Sequence, residues 1–314
     1  MILDDWIEEK IKVKNNLDRQ NLESYQLNTL NNLITYAKQN SLFYREWYKN
    51  LEKINSLDEL YKIPIISDKD IIENGNKMIC VSQSEISRIV TLNTSGTMGQ
   101  YKRIFFTKED QNLTVDFFIH GLSFLVEKND TMMIMMPCER ENSVGDLIKK
   151  ALINMEVTPV LNGTLLSFEK TTDLMIKNNV NSIVGMPVEI LALGRYIKER
   201  KLPIEIKSIL LSADTVNDTF IDEIKNVYNC DVYNHFGMTE TGLGGAVDCI
   251  YHEGMHIREN DLLVEIVNPR TKESLKEGEI GEVLITTLSR KAMPLIRYAT
   301  GDISSITTGN CSCK

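Results

Sequence analysis

Cysteine is scarce in this sequence, with six in 314 residues, and so is histidine, with four. That density is too low for a disulfide scaffold. Proline and glycine are also few, at seven and 17, which excludes a collagen-like chain or a disordered linker. Basic residues are outnumbered, 35 to 44, giving a net charge of −9. Binding to a nucleic-acid backbone needs clustered Lys and Arg, so the acidic balance argues against a nucleic-acid partner. No apolar run reaches the roughly 18 residues that span a bilayer. The opening stretch, with Asp4, Asp5, Glu8 and Glu9, lacks a signal peptide's basic start and apolar centre. The expected location is therefore cytoplasmic, with no membrane partner. What remains is ordinary for a globular protein: 42% hydrophobic and 25% charged residues.

Periodicity divides the chain. Residues 6–52 read as helical, with Leu27, Leu30, Leu33, Ile34 and Ala37 at helix spacing. Ser67, followed by Asp68 and Asp70, is a helix start. From about residue 88, short apolar runs alternate with amphipathic stretches. Residues 131–136, 182–185 and 208–212 read as buried strands, and 144–155, 167–178, 188–200 and 216–228 as helices between them. This alternation implies an α/β fold with mostly parallel sheets flanked by helices. From about 245 the pattern is β only, around 262–267 and 281–288. The expected divisions are 1–88, 89–244 and a small β-rich part, 245–314.

Three strings carry chemistry. Residues 94–103 begin Thr94, Ser95, Gly96, Thr97 and end Lys102, Arg103. Small and hydroxyl residues between two extended stretches can turn N–H groups toward phosphate oxygens, with Lys102 or Arg103 adding charge. The alternative is a plain hairpin turn, and the Walker A spacing is absent. Residues 233–240 hold Asn234, His235, Phe236, Gly237, Thr239 and Glu240. An aromatic beside a glycine can stack on a flat base, and Glu240 offers a hard oxygen for Mg²⁺. The alternative is a strand end followed by a capped turn. The third string ends Thr300, Gly301, Asp302, an Asp that can accept from a sugar diol or occupy an ordinary turn. No Ser/His/Asp or Cys/His nucleophile set accompanies them.

In this order the strings resemble the adenylate-forming superfamily of acyl- and aryl-CoA ligases, within it the phenylacetate–CoA ligase and coenzyme F390 synthetase branch. Residues 33–45, 62–71, 254–266 and 286–302 are similar to that branch's segments, so the likeness runs nearly end to end. The resemblance implies the superfamily's large N-terminal domain. It implies ATP-dependent activation of a small aryl or short-chain carboxylic acid as its acyl-adenylate, with CoA as acceptor. Thr94, Ser95, Gly96, Thr97 and Gly99 would form the phosphate loop, with Lys102 near the pyrophosphate. Phe236 would stack on adenine, flanked by Ala213, Asp214, Asn234, His235 and Gly237. Thr239 would touch the α-phosphate, Glu240 would hold Mg²⁺ and Asp302 the ribose. Gly185, Met186, Pro187, Gly242 and Gly244 would border the acid, with residues 137–146 contributing a wall. Met98 and Tyr101 depart from the branch, which usually has Thr or Ser and Pro there. The superfamily continues past Asp302 into a small domain carrying a catalytic Lys. Only twelve residues follow Asp302 here. The expectation is a fragment, or a short form relying on a separate C-terminal domain or acceptor protein. A homodimer, a non-catalytic nucleotide- or acyl-adenylate-binding role and transfer to an acceptor other than CoA stay open.

Cys249, His252, Cys311 and Cys313 could supply four ligands to a structural Zn²⁺. His256 is the rival for the histidine place. The other reading is three free thiols.

Overall fold

The computed structural model describes residues 2–13, 17–93, 101–214, 216–309 and 311–313. Helices α1 (Ile2–Ile11), α2 (Arg19–Asn40) and α3 (Leu42–Trp47) open the chain. Sequence periodicity shows one helical stretch where the structure has three helices, and capping accounts for the breaks. Asp18 accepts the Asn21 N–H at 2.7 Å at the start of α2. Ser41 closes α2 and starts α3, accepting the Tyr44 N–H at 3.3 Å. Each cap satisfies a backbone donor that the first turn leaves unpaired, so a helix restarts although the apolar spacing runs on. Ser67 and Asp70 form a reciprocal capping box on α4 (Asp68–Asn74).

Strands β1 (Ile86–Asn93) and β2 (Tyr101–Thr107) pair antiparallel. A central α/β unit follows: α5 (Lys108–Leu122), β3 (Thr131–Met135), α6 (Val144–Asn154), β4 (Thr158–Leu161), α7 (Phe168–Asn178), β5 (Ser182–Gly185), α8 (Pro187–Arg200), β6 (Ser208–Leu211), α9 (Asp218–Tyr228) and β7 (Asp231–Phe236). With β8 (Ala246–Asp248) and β9 (Met255–Ile257) it makes a seven-stranded sheet in the order β4-β3-β5-β6-β7-β8-β9. The first five strands are parallel and the last two antiparallel. Alternate residues serve opposite faces. Met132, Ile134, Val184, Leu210 and Tyr233 pack in one core with α5 and α6. Met133, Met135, Ile183, Ile209 and Val232 pack in the other with α8 and α9. Coverage on both faces is why these strands read as unbroken apolar runs.

Strands β10 (Leu262–Val267), β11 (Gly281–Thr287) and β12 (Tyr298–Ser304) form an antiparallel sheet. It shares a third core with α2, α3 and β2. The expected divisions need two corrections. The boundary at 244/245 falls inside a sheet, because β8 pairs with β7. The N-terminal helical part shares its core with the β-rich part, where Ile66 bridges to Tyr298. Both pairings are long-range, and local periodicity carries no record of them. No helix among the described residues is long and apolar enough to cross a membrane.

Candidate active site

The turn after β7 is the centre of the site. Thr239–Thr241 make one 3-10 turn, closed by Gly242 at φ +79°. A side chain at Gly242 would be strained by that φ. Its Cβ would also lie 3.1 Å from Arg290 Nη2 and 3.4 Å from Arg258 Nη2. The turn buries Glu240, at 1% exposure. Lys102, which the family resemblance would set near a pyrophosphate, reaches this carboxylate from β2 and forms an ion pair with it. The Lys102 ammonium also donates to Asp68 Oδ1 at 2.8 Å and Tyr298 Oη at 3.1 Å. Burial pulls the Lys102 pKa down, but Asp68 and Glu240 outweigh it and hold the lysine above its ordinary value. Lys102 is therefore a fixed cation.

Asp302 lies on β12, exposed, its N–H bonded to Thr300 Oγ1 at 3.0 Å. Desolvation of its inner side, and behind it the Glu240 charge, raise its carboxyl above the usual aspartate value.

A cavity of about 540 Å³ opens beside β7, lined by Asp214, Asn234, His235, Phe236, Asp248 and His252 among others. Ala213, before Asp214, holds φ +72° and turns the chain after β6. His235 bonds Ser212 Oγ through Nδ1 at 3.3 Å. Gly237 lies flat against it, since a Cβ there would fall 2.4 Å from His235 Cε1. Gly244 likewise meets the Phe117 ring, at 2.4 Å from a Cβ to Cδ1. Gly185, Met186 and Pro187 sit where β5 passes into α8, with Gly185 hard against Met135. Thr94, Ser95, Gly96, Thr97, Met98 and Gly99, in the stretch expected to form a phosphate loop, lie outside the described residues.

The profile of the family described as AMP-binding enzyme matches residues 43–289. The chain belongs to that family. The phenylacetate–coenzyme A ligase of Thermus thermophilus is 26% identical to it, over 95% of this chain and 68% of that protein. The ligase of the same name from Pseudomonas putida is 24% identical, over 92% and 67%. Among solved structures, an open conformation of 2-hydroxyisobutyryl-CoA ligase superposes with a TM-score of 0.84. The identity is 16%, over 95% of this chain and 68% of that one, so the likeness speaks to the fold. That ligase was solved with 2-HIB-AMP and CoA. The fold is that of adenylate-forming enzymes.

One feature of this AMP-binding enzyme escaped the sequence reading. Arg258 and Arg290 are both buried, at 4% exposure each, and converge on Gly242. Arg258 Nη2 donates to Thr241 O at 2.5 Å, and the Arg290 guanidinium lies 4.9 Å from the Phe106 ring centre. Burial lowers both pKa values, Arg290 to about 10 with Asp110 opposing and Arg258 adding to the fall. An arginine guanidinium keeps its charge at neutral pH. Nothing in the string pattern marks them, because residues 32 positions apart meet only through the fold.

At the sulfur cluster the structure chooses between the two histidines that the sequence offers, and corrects the set that names His252. Cys249, His256, Cys311 and Cys313 place their ligand atoms within 4.8 Å of one another. His256, not His252, completes the set. The pairing of Val247 with His256 across β8 and β9 turns His256 toward the cysteines. His252 is engaged elsewhere, its Nδ1 2.6 Å from Asp248 Oδ2 and its ring against Tyr233.

Proposed function

We propose that this chain uses ATP to activate a small carboxylic acid, aryl or short-chain, as its acyl-adenylate, in the manner of the large domain of an AMP-forming acid–CoA ligase. The observation that carries the reading is the buried turn after β7, where Lys102 pairs with Glu240 four residues beyond Phe236, which with Asp214 walls the cavity. In this reading Phe236 stacks on adenine and Asp302 accepts from the ribose hydroxyls. Mg²⁺ is held by few protein oxygens together with substrate phosphates. A single buried carboxylate beside the phosphate position fits that habit, and Glu240 is the residue that would hold it. When bound, the ion neutralises charge on the triphosphate.

The reaction brings two anions together. A carboxylate oxygen attacks the α-phosphorus, a new O–P bond forms, and the bond to the β-phosphate oxygen breaks to release pyrophosphate. The protein supplies position and charge rather than a nucleophile. Lys102 is the fixed cation, Thr239 the hydroxyl facing the α-phosphate. Arg258 and Arg290 add positive potential around the turn that borders the acid, which favours an incoming carboxylate. CoA is the proposed acceptor, a structural Zn²⁺ at the sulfur cluster belongs to the same reading, and the cytoplasm is the proposed location.

ATP–pyrophosphate exchange with aryl and short-chain acids tests this. Acid-dependent exchange is expected from this chain, and Glu240→Gln should reduce it by about 100-fold or more, the scale of losing a group that stabilises transition-state charge. Binding of ATP without exchange for any acid would favour a nucleotide-binding role. No binding of ATP, AMP or an acyl-adenylate analogue would overturn the reading.

A further inference from the structure

The sulfur cluster joins two parts of the chain that local sequence does not connect. Cys249 and His256 bracket the turn between β8 and β9, and Cys311 and Cys313 come from the chain beyond β12. Cys249 Sγ lies 3.4 Å from Cys311 Sγ, and Cys313 Sγ lies 3.5 Å from His256 Nε2. Zinc bonds of about 2.3 Å to sulfur and 2.0–2.1 Å to nitrogen give tetrahedral edges of roughly 3.5–3.8 Å. These two separations lie close to such edges, and all four ligand atoms lie within 4.8 Å of one another. Three thiolates and one imidazole form a soft, closed set suited to structural Zn²⁺ rather than to Mg²⁺ or Ca²⁺.

The bracketed turn is also a wall of the nucleotide cavity. Asp248, His252, Gly254 and Met255 line that cavity, and all lie within one residue of a ligand or between Cys249 and His256. Two of these turn residues have left-handed backbones, His252 at φ 53° and Gly254 at φ 118°. Glu253 accepts from the Ser312 N–H at 2.7 Å and the Ser312 hydroxyl at 2.8 Å, but this anchor is exposed. Such an anchor adds little stability by itself.

We infer that Cys249, His256, Cys311 and Cys313 bind one Zn²⁺, and that this ion is a clamp on the nucleotide cavity, ordering the 249–256 turn by tying it to residues 311–313. The clamp function rests on the nucleotide-binding reading above; the metal site itself does not. If the turn is ordered in only about a tenth of molecules without the ion, nucleotide affinity falls by about tenfold.

The test uses the whole chain, elemental analysis, AMP titration by calorimetry and hydrogen exchange. About one zinc per chain is expected. Removing it with a chelator should weaken AMP binding about tenfold and speed amide exchange over 249–256, and zinc chloride alone should reverse both. The Cys311→Ser/Cys313→Ser variant, which changes no residue lining the cavity, should lose the zinc and behave as the stripped protein without rescue. Circular dichroism separates this from misfolding, and if the variant does not fold, the strip-and-reload cycle of the parent decides. Less than about half an equivalent of zinc, or another metal in its place, would overturn the site. Full zinc with AMP affinity and exchange unchanged on stripping would overturn the clamp and leave the nucleotide reading intact. Full zinc with no AMP binding in any state would overturn the nucleotide reading and with it the cavity clamp. Zinc-dependent exchange over 249–256 would then establish only an ordering role.

Discussion

His235 shows how one side chain ties the cavity to the charges behind it. Its ring lies 6.4 and 6.2 Å from those of Phe117 and Phe118. Burial, and then the Arg258 charge, push its pKa down to about 4 from 6.5. The folded protein keeps the imidazole neutral where the unfolded chain takes a proton. This stability is present above about pH 6.5 and is lost as the pH falls toward 4. Between about pH 7.5 and about pH 5 the loss should be about 2 kcal/mol. Urea unfolding of His235→Gln should show that share of the pH dependence gone. Equal slopes for parent and variant would mean that His235 titrates normally. The sequence marks His235 as a neighbour of the nucleotide pocket through its place in the 233–240 string. It does not mark Arg258, which lowers its pKa, since that contact depends on how β7 and the chain after β9 meet.

At the scale of elements, Asp110 pins α5 to the chain after β11. It caps its own helix by accepting the Thr107 N–H at 2.9 Å, and it accepts the Lys291 and Ala292 N–H groups at 2.7 and 3.0 Å. One buried carboxylate thus satisfies three backbone donors. Asp110→Ala orphans all three, at roughly 1–3 kcal/mol for each one that water does not reach. A destabilisation of about 4 kcal/mol in urea unfolding is expected. Thr107→Ala, which leaves the Asp110 acceptors in place, should cost only about 1 kcal/mol. Similar costs for the two would show that Asp110 is an ordinary cap. The two remote donors are not legible in the sequence, since they meet Asp110 only through the fold. The same limit governs other elements. Strands β3, β5 and β6 announce themselves because both faces are buried. Strand β4 is four residues with a proline and one fully buried side chain, too little signal to read. His252 has the better spacing from Cys249 for a metal ligand, yet hairpin register decides the matter for His256.

At the scale of the molecule, the Lys102 cage draws on distant segments. Asp68 follows the stretch 63–66, Tyr298 lies on β12, and Glu240 comes from the central α/β unit. Arg297 joins the first two segments, and a buried ion pair with Glu265 on β10 fixes its guanidinium. Arg297 Nε lies 3.1 and 3.0 Å from the Glu265 oxygens, and its Nη1 donates to Ile63 O at 2.8 Å. Arg297 is 2% exposed and Glu265 8%. Burial raises the Glu265 pKa, and the Arg297 charge opposes that rise without cancelling it. Removing one partner of such a pair strands the other, at about 3–5 kcal/mol, whereas replacing both with apolar side chains is often nearly neutral. Arg297→Met and Glu265→Met should each be strongly destabilising in urea. The double variant should recover to within about 2 kcal/mol of the parent, the remainder reflecting the donor lost from Ile63 O. Additive losses would mean that Arg297 and Glu265 contribute independently rather than as a pair. Arg297 immediately precedes Tyr298, and Ile63 stands five residues before Asp68. A slip between those segments therefore opens the Lys102 cage. Arg297→Met should accordingly lose ATP–pyrophosphate exchange under conditions where it is still folded, and the double variant should regain much of it with its stability.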